Sequence, residues 1–194
     1  MRDDPTAVGP LPEALILDTS FLRTLGPPAR DRYQAFTTHV RATDLTLYMT
    51  EGVVDEVIEQ AGYIGGDWLG LADSTDWVEQ LGPIQPGVRV HDGPRAGEVI
   101  DWAHERLASL EQEHPDELRP TDAALAGAAV MILGSKPHDT VGIVLDDRNA
   151  EDALETALHN TYYDDRVRIL DIWSVVEYTE AVDANSLDDS DGDS

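Results

Sequence analysis

Cysteine is absent from the 194-residue chain, and lysine occurs once, at Lys136. Without thiols there can be no disulfides, zinc ribbons, iron–sulfur clusters or thiol nucleophiles, so any metal must be held by oxygen or imidazole. No apolar run approaches the roughly 20 residues that cross a bilayer. The opening stretch MRDDPTAVGPLPEA has no apolar core after a basic start, so it does not read as a signal peptide. These absences lead us to expect a soluble, cytoplasmic protein with no membrane partner. Positive charge is scarce as well, with 13 Lys and Arg against 39 Asp and Glu and a formal net charge of −26. Self-repulsion at that level costs stability in dilute buffer. The acids are spread along the whole chain, as on a surface adapted to molar salt, and we infer a halophilic source. At about 1 M salt the Debye length is near 3 Å, so such a surface need not repel a nucleic acid.

The length suits one compact α/β domain and is short for two separate cores. We expect an N-terminal extension over 1–12, a single domain over 13–182 and a disordered acidic tail over 183–194. Short apolar runs predict strands at 14–17, 45–48, 141–145 and 167–170, with a further short strand at Val88-Arg89-Val90. Between them, helical spacing marks 30–41, a helix capped by Thr50, 98–113, an alanine- and glycine-rich helix over 123–133, 150–158 and 173–180. The stretch 62–115 is dense in glycine and proline and carries one extra helix, with a short helical turn near Trp68. This alternation predicts a three-layer α/β/α fold around a central, mostly parallel, about five-stranded sheet.

In such sheets ligands bind outside the carboxyl ends of the strands, where the strand order reverses. Asp18 follows the first apolar strand, and Asp146 and Asp147 follow a later one. Asp122 opens the alanine-rich helix, and Glu56 lies one or two turns into the helix capped by Thr50. Helix N-termini and strand C-termini share one edge of a doubly wound sheet, so these carboxylates can converge. Converging carboxylates repel unless a cation holds them, and oxygen-only ligation selects a hard ion, Mg²⁺ or Mn²⁺. Two such ions about 4 Å apart activate water and stabilise the leaving oxygen of a phosphodiester. The hydroxyls of Thr19 and Ser20 read first as caps of the following helix, or as groups touching the site through water. The six histidines show no metal-ligand spacing, and Trp68, Trp77, Trp102 and Trp173 read as core or interface residues.

In order along the chain, LILDTSFL, MTEGVVDEVIEQ, LRPTDAALAGAA and VGIVLDDRNAEDAL resemble the four acidic motifs of the PIN-domain nucleases. The resemblance covers about Leu15 to Tyr178 and implies a PIN-like fold with an Mg²⁺- or Mn²⁺-dependent endoribonuclease site. By position, Asp18, Glu56, Asp122 and Asp147 match the family's metal-binding acids, with Asp146 the near alternative to Asp147. The resemblance further implies that Asp18, Asp122 and Asp147 bind metal directly, while Glu56 adds a ligand or orients a bound water. Ser20, Arg119 and Arg148 are candidate substrate-binding residues; the two arginines would hold a phosphate or else pair with neighbouring acids. RNA is the expected substrate. Toxin members of the family imply a cognate antitoxin or other protein partner and a homodimer, with the helices over 30–41 and 97–113 as contact faces. Two rival readings remain. One is a catalytically silent PIN-fold module that binds RNA or protein. The other is a phosphatase of the haloacid-dehalogenase type, built on Asp18, Lys136 and Asp146-Asp147, although that family wants an Asp where Ser20 stands. If the acidic surface is adapted to salt, circular dichroism should show structure being lost as KCl falls from about 2 M to low salt; an unchanged spectrum would contradict the adaptation.

Overall fold

The computed structural model describes residues 9–118, 121–159 and 161–188, leaving aside the side chains of 184–188. β1 (Ala14–Leu17) is buried at all four positions, as a strand covered on both faces must be. Parallel to it lie β2 (Thr46–Met49), β3 (Val78–Gln80), β4 (Val141–Leu145) and β5 (Val167–Asp171), in the spatial order β3-β2-β1-β4-β5. The sheet is therefore five-stranded and wholly parallel. From β1 the chain steps outward to β2 and β3. It then returns across the sheet through α5 (Ala96–Glu111) and α6 (Thr121–Ser135) to lay β4 against the free side of β1. The strand order reverses there, and the crevice at the carboxyl ends of β1 and β4 is the expected ligand position.

Strand periodicity sends alternate residues to two cores. Leu15, Leu17, Leu47, Met49 and Val144 pack beneath α1 (Thr19–Leu25), α2 (Asp31–Ala42), α3 (Glu51–Glu59), α4 (Trp68–Ser74) and α8 (Ile172–Asp188). Ile16, Tyr48, Ile143 and Leu145 face the other way, towards α5, α6 and α7 (Arg148–Leu158). This is the three-layer α/β/α arrangement expected from the sequence. α6 is buried continuously from Leu125 to Leu133, because it is enclosed by the sheet, α5 and α7 together. Its small residues are what permit that enclosure. A side chain on Gly127 would run into Ile100 of α5.

The structure corrects two expectations. Val88–Val90 is not a strand; the fifth strand is Val78–Gln80. Pro86-Gly87 and Gly93-Pro94 bracket the former, and its backbone is satisfied elsewhere. The Val88 carbonyl accepts from the Ala96 N–H at 2.8 Å, and the Val90 N–H donates to the Tyr163 hydroxyl at 3.0 Å. β3 escaped notice because it is a three-residue edge strand with one buried residue, Val78, and it depends on β2 for its pairing. Second, α8 continues through Asp188, past the tail boundary expected at 183. Residues 1–8 of the N-terminal extension and 189–194 of the tail lie outside the described residues. The apolar faces of α2 and α5, the two helices expected as contact faces, are largely used within the fold, α2 against α8 and α5 against α6 and α7. Among the described residues no helix is long and apolar enough to cross a membrane.

The loop after α3 meets the turn after α1 backbone to backbone at Gly65. A Cβ there would overlap the Gly26 carbonyl carbon and the Pro27 nitrogen, neither of which can rotate away. Gly65→Ala should therefore cost about 2 kcal/mol or more in urea denaturation at high KCl. Wild-type stability in the variant would mean that the two loops do not touch.

Candidate functional site

Asp18 ends β1 and caps α1. Its Oδ2 accepts the Ser20 N–H at 3.2 Å and also the Ser20 hydroxyl. The expected hydroxyl cap is thus replaced by the aspartate itself, which can reach the free N–H groups of the first turn. Ser20, expected at the substrate, has its hydroxyl hydrogen on Asp18. Thr19 is 2% exposed, and its hydroxyl has no hydrogen-bond partner among the described residues. The Asp18 N–H donates to the Val144 carbonyl at 3.4 Å, carrying the β1–β4 ladder one step past β1. Since Leu17 pairs with Val144, Asp18 stands level with Leu145, immediately before Asp146-Asp147.

Asp147 repeats the device on β4. Its Oδ1 caps α7, accepting from the N–H groups of Asn149 (2.8 Å) and Ala150 (3.0 Å). Asp146 and Arg148 on either side of it are exposed, and Arg119 lies outside the described residues. Glu56 belongs to the face of α3 that turns inward: it is half-buried, whereas Asp55 and Glu59 are exposed. Thr50 caps that helix as expected, accepting from the Val53 N–H at 3.5 Å. α3 and α6 start side by side, since a Cβ on Gly52 would stand 3.0 Å from the Thr121 methyl group. Between them opens a cleft of about 260 Å³ lined by Thr50, Glu51, Gly52, Thr121 and Ala124. Asp122, the next residue, is half-buried in the first turn of α6.

Electrostatics ties these segments together. Burial first, and then the carboxylates of Asp18, Asp147, Glu56 and Glu111, together push the Asp122 carboxyl up to about 6. Four of the acids singled out in the sequence thus share one field, and Asp146 is not among those acting on Asp122. Glu111 is the member that sequence reasoning missed. It closes α5 without any motif around it, and its Oε1 accepts from Asn149 Nδ2 at 2.5 Å.

The donor set is all oxygen, half-buried at Asp18, Glu56 and Asp122 and exposed at Asp147, and its carboxylates repel one another, so its chemistry fits a hard divalent cation. As they stand, however, no three His, Asp or Glu side chains among the described residues are arranged to hold one ion. The acids are close enough to feel one another and remain open. Wider grooves lie elsewhere, one of about 550 Å³ between α2 and α8 and one of about 600 Å³ beside Lys136 to Asp139. Neither gathers chemistry. In the second, Lys136 pairs with Glu79 at 2.6 Å and Arg166 with Asp139 at 3.5 Å.

In the fold Asp122 keeps its proton at pH values where an unfolded aspartate has lost it. Between about 4 and 6 the folded state therefore binds more protons, and stability falls as pH rises through that window. Above it the cost is fully present. In chelator at about pH 8, Asp122→Asn should stabilise the chain by about 1 kcal/mol, allowing for solvent screening, and the gain should shrink towards pH 4. Urea titrations at both pH values in high KCl measure this; a variant less stable than wild type at pH 8 would refute the repulsion.

The halobacterial PIN domain family model matches residues 11–183 of the chain. No curated protein and no solved structure matches it.

Proposed function

The chain belongs to the halobacterial PIN domain family, and from that premise we propose that it is a metal-dependent endoribonuclease. PIN domains are generally nucleases, and the fold is of that type. The observation that carries the finer reading is the field on Asp122. Acids that follow β1 and β4 and acids of α3 and α5, far apart in sequence, act on one half-buried carboxyl of α6 at the reversal point of the sheet. A bound Mg²⁺ or Mn²⁺ would supply water activation and neutralise the leaving oxygen of the phosphodiester.

The chain's own residues do the holding. Asp18 and Asp147 are each fixed through one oxygen by a helix cap, leaving the second oxygen of each free of hydrogen bonds among the described residues. Ser20 locks the Asp18 rotamer from its own first turn. Asp122 approaches from the opposite helix layer, and Glu56 completes the set as a ligand or as the acceptor that orients attacking water. Arg148, exposed beside Asp147, would meet the substrate phosphate, and it also acts on Glu151 one turn further along α7. The phosphatase reading is weakened by Lys136. That lysine stands just beyond the far end of the 15-residue α6 from Asp122, about 21 Å along the helix, and pairs with Glu79.

One observation favours a second reading, a PIN-fold module that binds RNA or protein without cleaving it. The acids are not arranged, as they stand, around one ion. Incubating labelled single-stranded RNA at about 2 M KCl with Mn²⁺, Mg²⁺ or chelator separates the two readings. We expect metal-dependent cleavage that Asp18→Asn reduces by at least about 100-fold, the upper range for loss of an outer-shell partner of a metal ligand. A folded wild type that binds the metal and leaves the RNA intact would give the second reading the field.

A further inference from the structure

We propose that Glu111 is a positioning residue for Asp147, acting through the side chain of Asn149; the proposal rests on reading the carboxylates as a metal site. Asp147 commits Oδ1 to the first turn of α7, on the N–H groups of Asn149 and Ala150, so its remaining oxygen is aimed only as firmly as that turn is held. The turn is held from outside its own helix. Asn149 Nδ2 donates to Glu111 Oε1 at 2.5 Å, a charge-assisted bond reaching from the last residue of α5 to the start of α7.

The geometry of the two helices supports this role. Arg106 binds Asp152 through Nε at 2.8 Å and Nη2 at 2.6 Å. Partners descend in α7 as they ascend in α5, so the helices run antiparallel and Glu111 lies at the end of α5 that faces the carboxylates. α5 itself is seated against α6 where Gly127 admits Ile100. The anchor is therefore the exposed last residue of a packed helix rather than part of a loop, which gives a ligating group firm support. A further carboxylate beside Asp18, Asp122 and Asp147 adds to the repulsion among them. Its return is the bond to Asn149. Outer-shell bonds that orient ligating carboxylates typically change metal affinity by about 10- to 100-fold.

The test is Mn²⁺ binding to the full chain at about 2 M KCl, followed by the paramagnetic resonance of free Mn²⁺. It compares wild type, Glu111→Gln, Glu111→Ala, Asn149→Ala and the double alanine variant. We expect about tenfold weaker binding for each single alanine variant, with no further loss in the double. Glu111→Gln should stay close to wild type, because its Oε1 still accepts from Asn149. Equal losses for Gln and Ala would show that Glu111 acts by charge alone, and additive losses in the double would remove Asn149 from the path. Wild-type affinity in Glu111→Ala would also overturn the proposal. Amide hydrogen exchange of the metal-free protein reads the same contact without the metal. Faster exchange at Asn149 and Ala150 in Glu111→Ala, but not in Glu111→Gln, supports it, and unchanged exchange overturns it. If wild type binds no Mn²⁺, the metal-site reading falls, and exchange alone decides whether Glu111 orders the cap.

Discussion

The parallel pairing of β1 with β4 is the contact on which the rest of the structure depends. These strands are neighbours in the middle of the sheet, although more than a hundred residues separate them in the chain. Their register sets Asp18 beside the Asp146-Asp147 pair, and the Asp18 N–H to Val144 bond fixes it to the last residue. Each strand hands its chain to a helix capped by an aspartate just past the strand end, Asp18 directly after β1 and Asp147 one residue further on after β4. One short side chain therefore terminates a strand, starts a helix and presents an oxygen at the sheet edge. Slipping the register by one residue would send both core faces to the wrong layer, so the placement of the acids inherits the stability of the whole core.

Against that rigidity stands the repulsion the fold imposes on itself. Half-burial of Asp122 among other carboxylates opposes folding at neutral pH, within a chain that already carries a net charge of −26. Molar salt screens the long-range part of that charge but does little for a carboxyl removed from water. The two effects differ in kind. The surface acids are a general adaptation to the solvent, whereas the cost at Asp122 is local and would be relieved by a cation or a proton.

α5 gives the segment between β3 and α6 a purpose. It spans the return path across the sheet, encloses α6 on the side away from the strands and bridges to α7 at both Arg106 and Glu111. Small residues in α6 allow the close approach. The same packing that completes the second core also brings the end of α5 to the carboxylate edge, so core formation and site formation are one event there.

Much of this was legible in the sequence. Continuous apolar runs ending in aspartate, a threonine before a helix and an alanine-rich helix that had to be enclosed each carry their reason within a few residues. Asp18, Glu56, Asp122 and the Asp146-Asp147 pair stood out because strand ends and helix starts must share one edge of a parallel sheet, and the resemblance to the PIN-domain nucleases put Asp147 ahead of Asp146. Where the signal was not local, the sequence misled or was silent. Val88–Val90 has strand composition but bonds to Tyr163 and to the start of α5, while Val78–Gln80 becomes a strand because β2 offers it an edge. Asp18 displaced its neighbouring hydroxyls as the cap, which only the backbone path from β1 into α1 could decide. Glu111 has no local mark at all; its place was set by the antiparallel crossing of α5 and α7. The sequence by itself determined the elements other than β3 and the chemistry of the donors, because propensity, patterning and capping act over a few residues. Which donors meet was left to the tertiary structure, because that depends on strand order and helix crossing over the length of the chain.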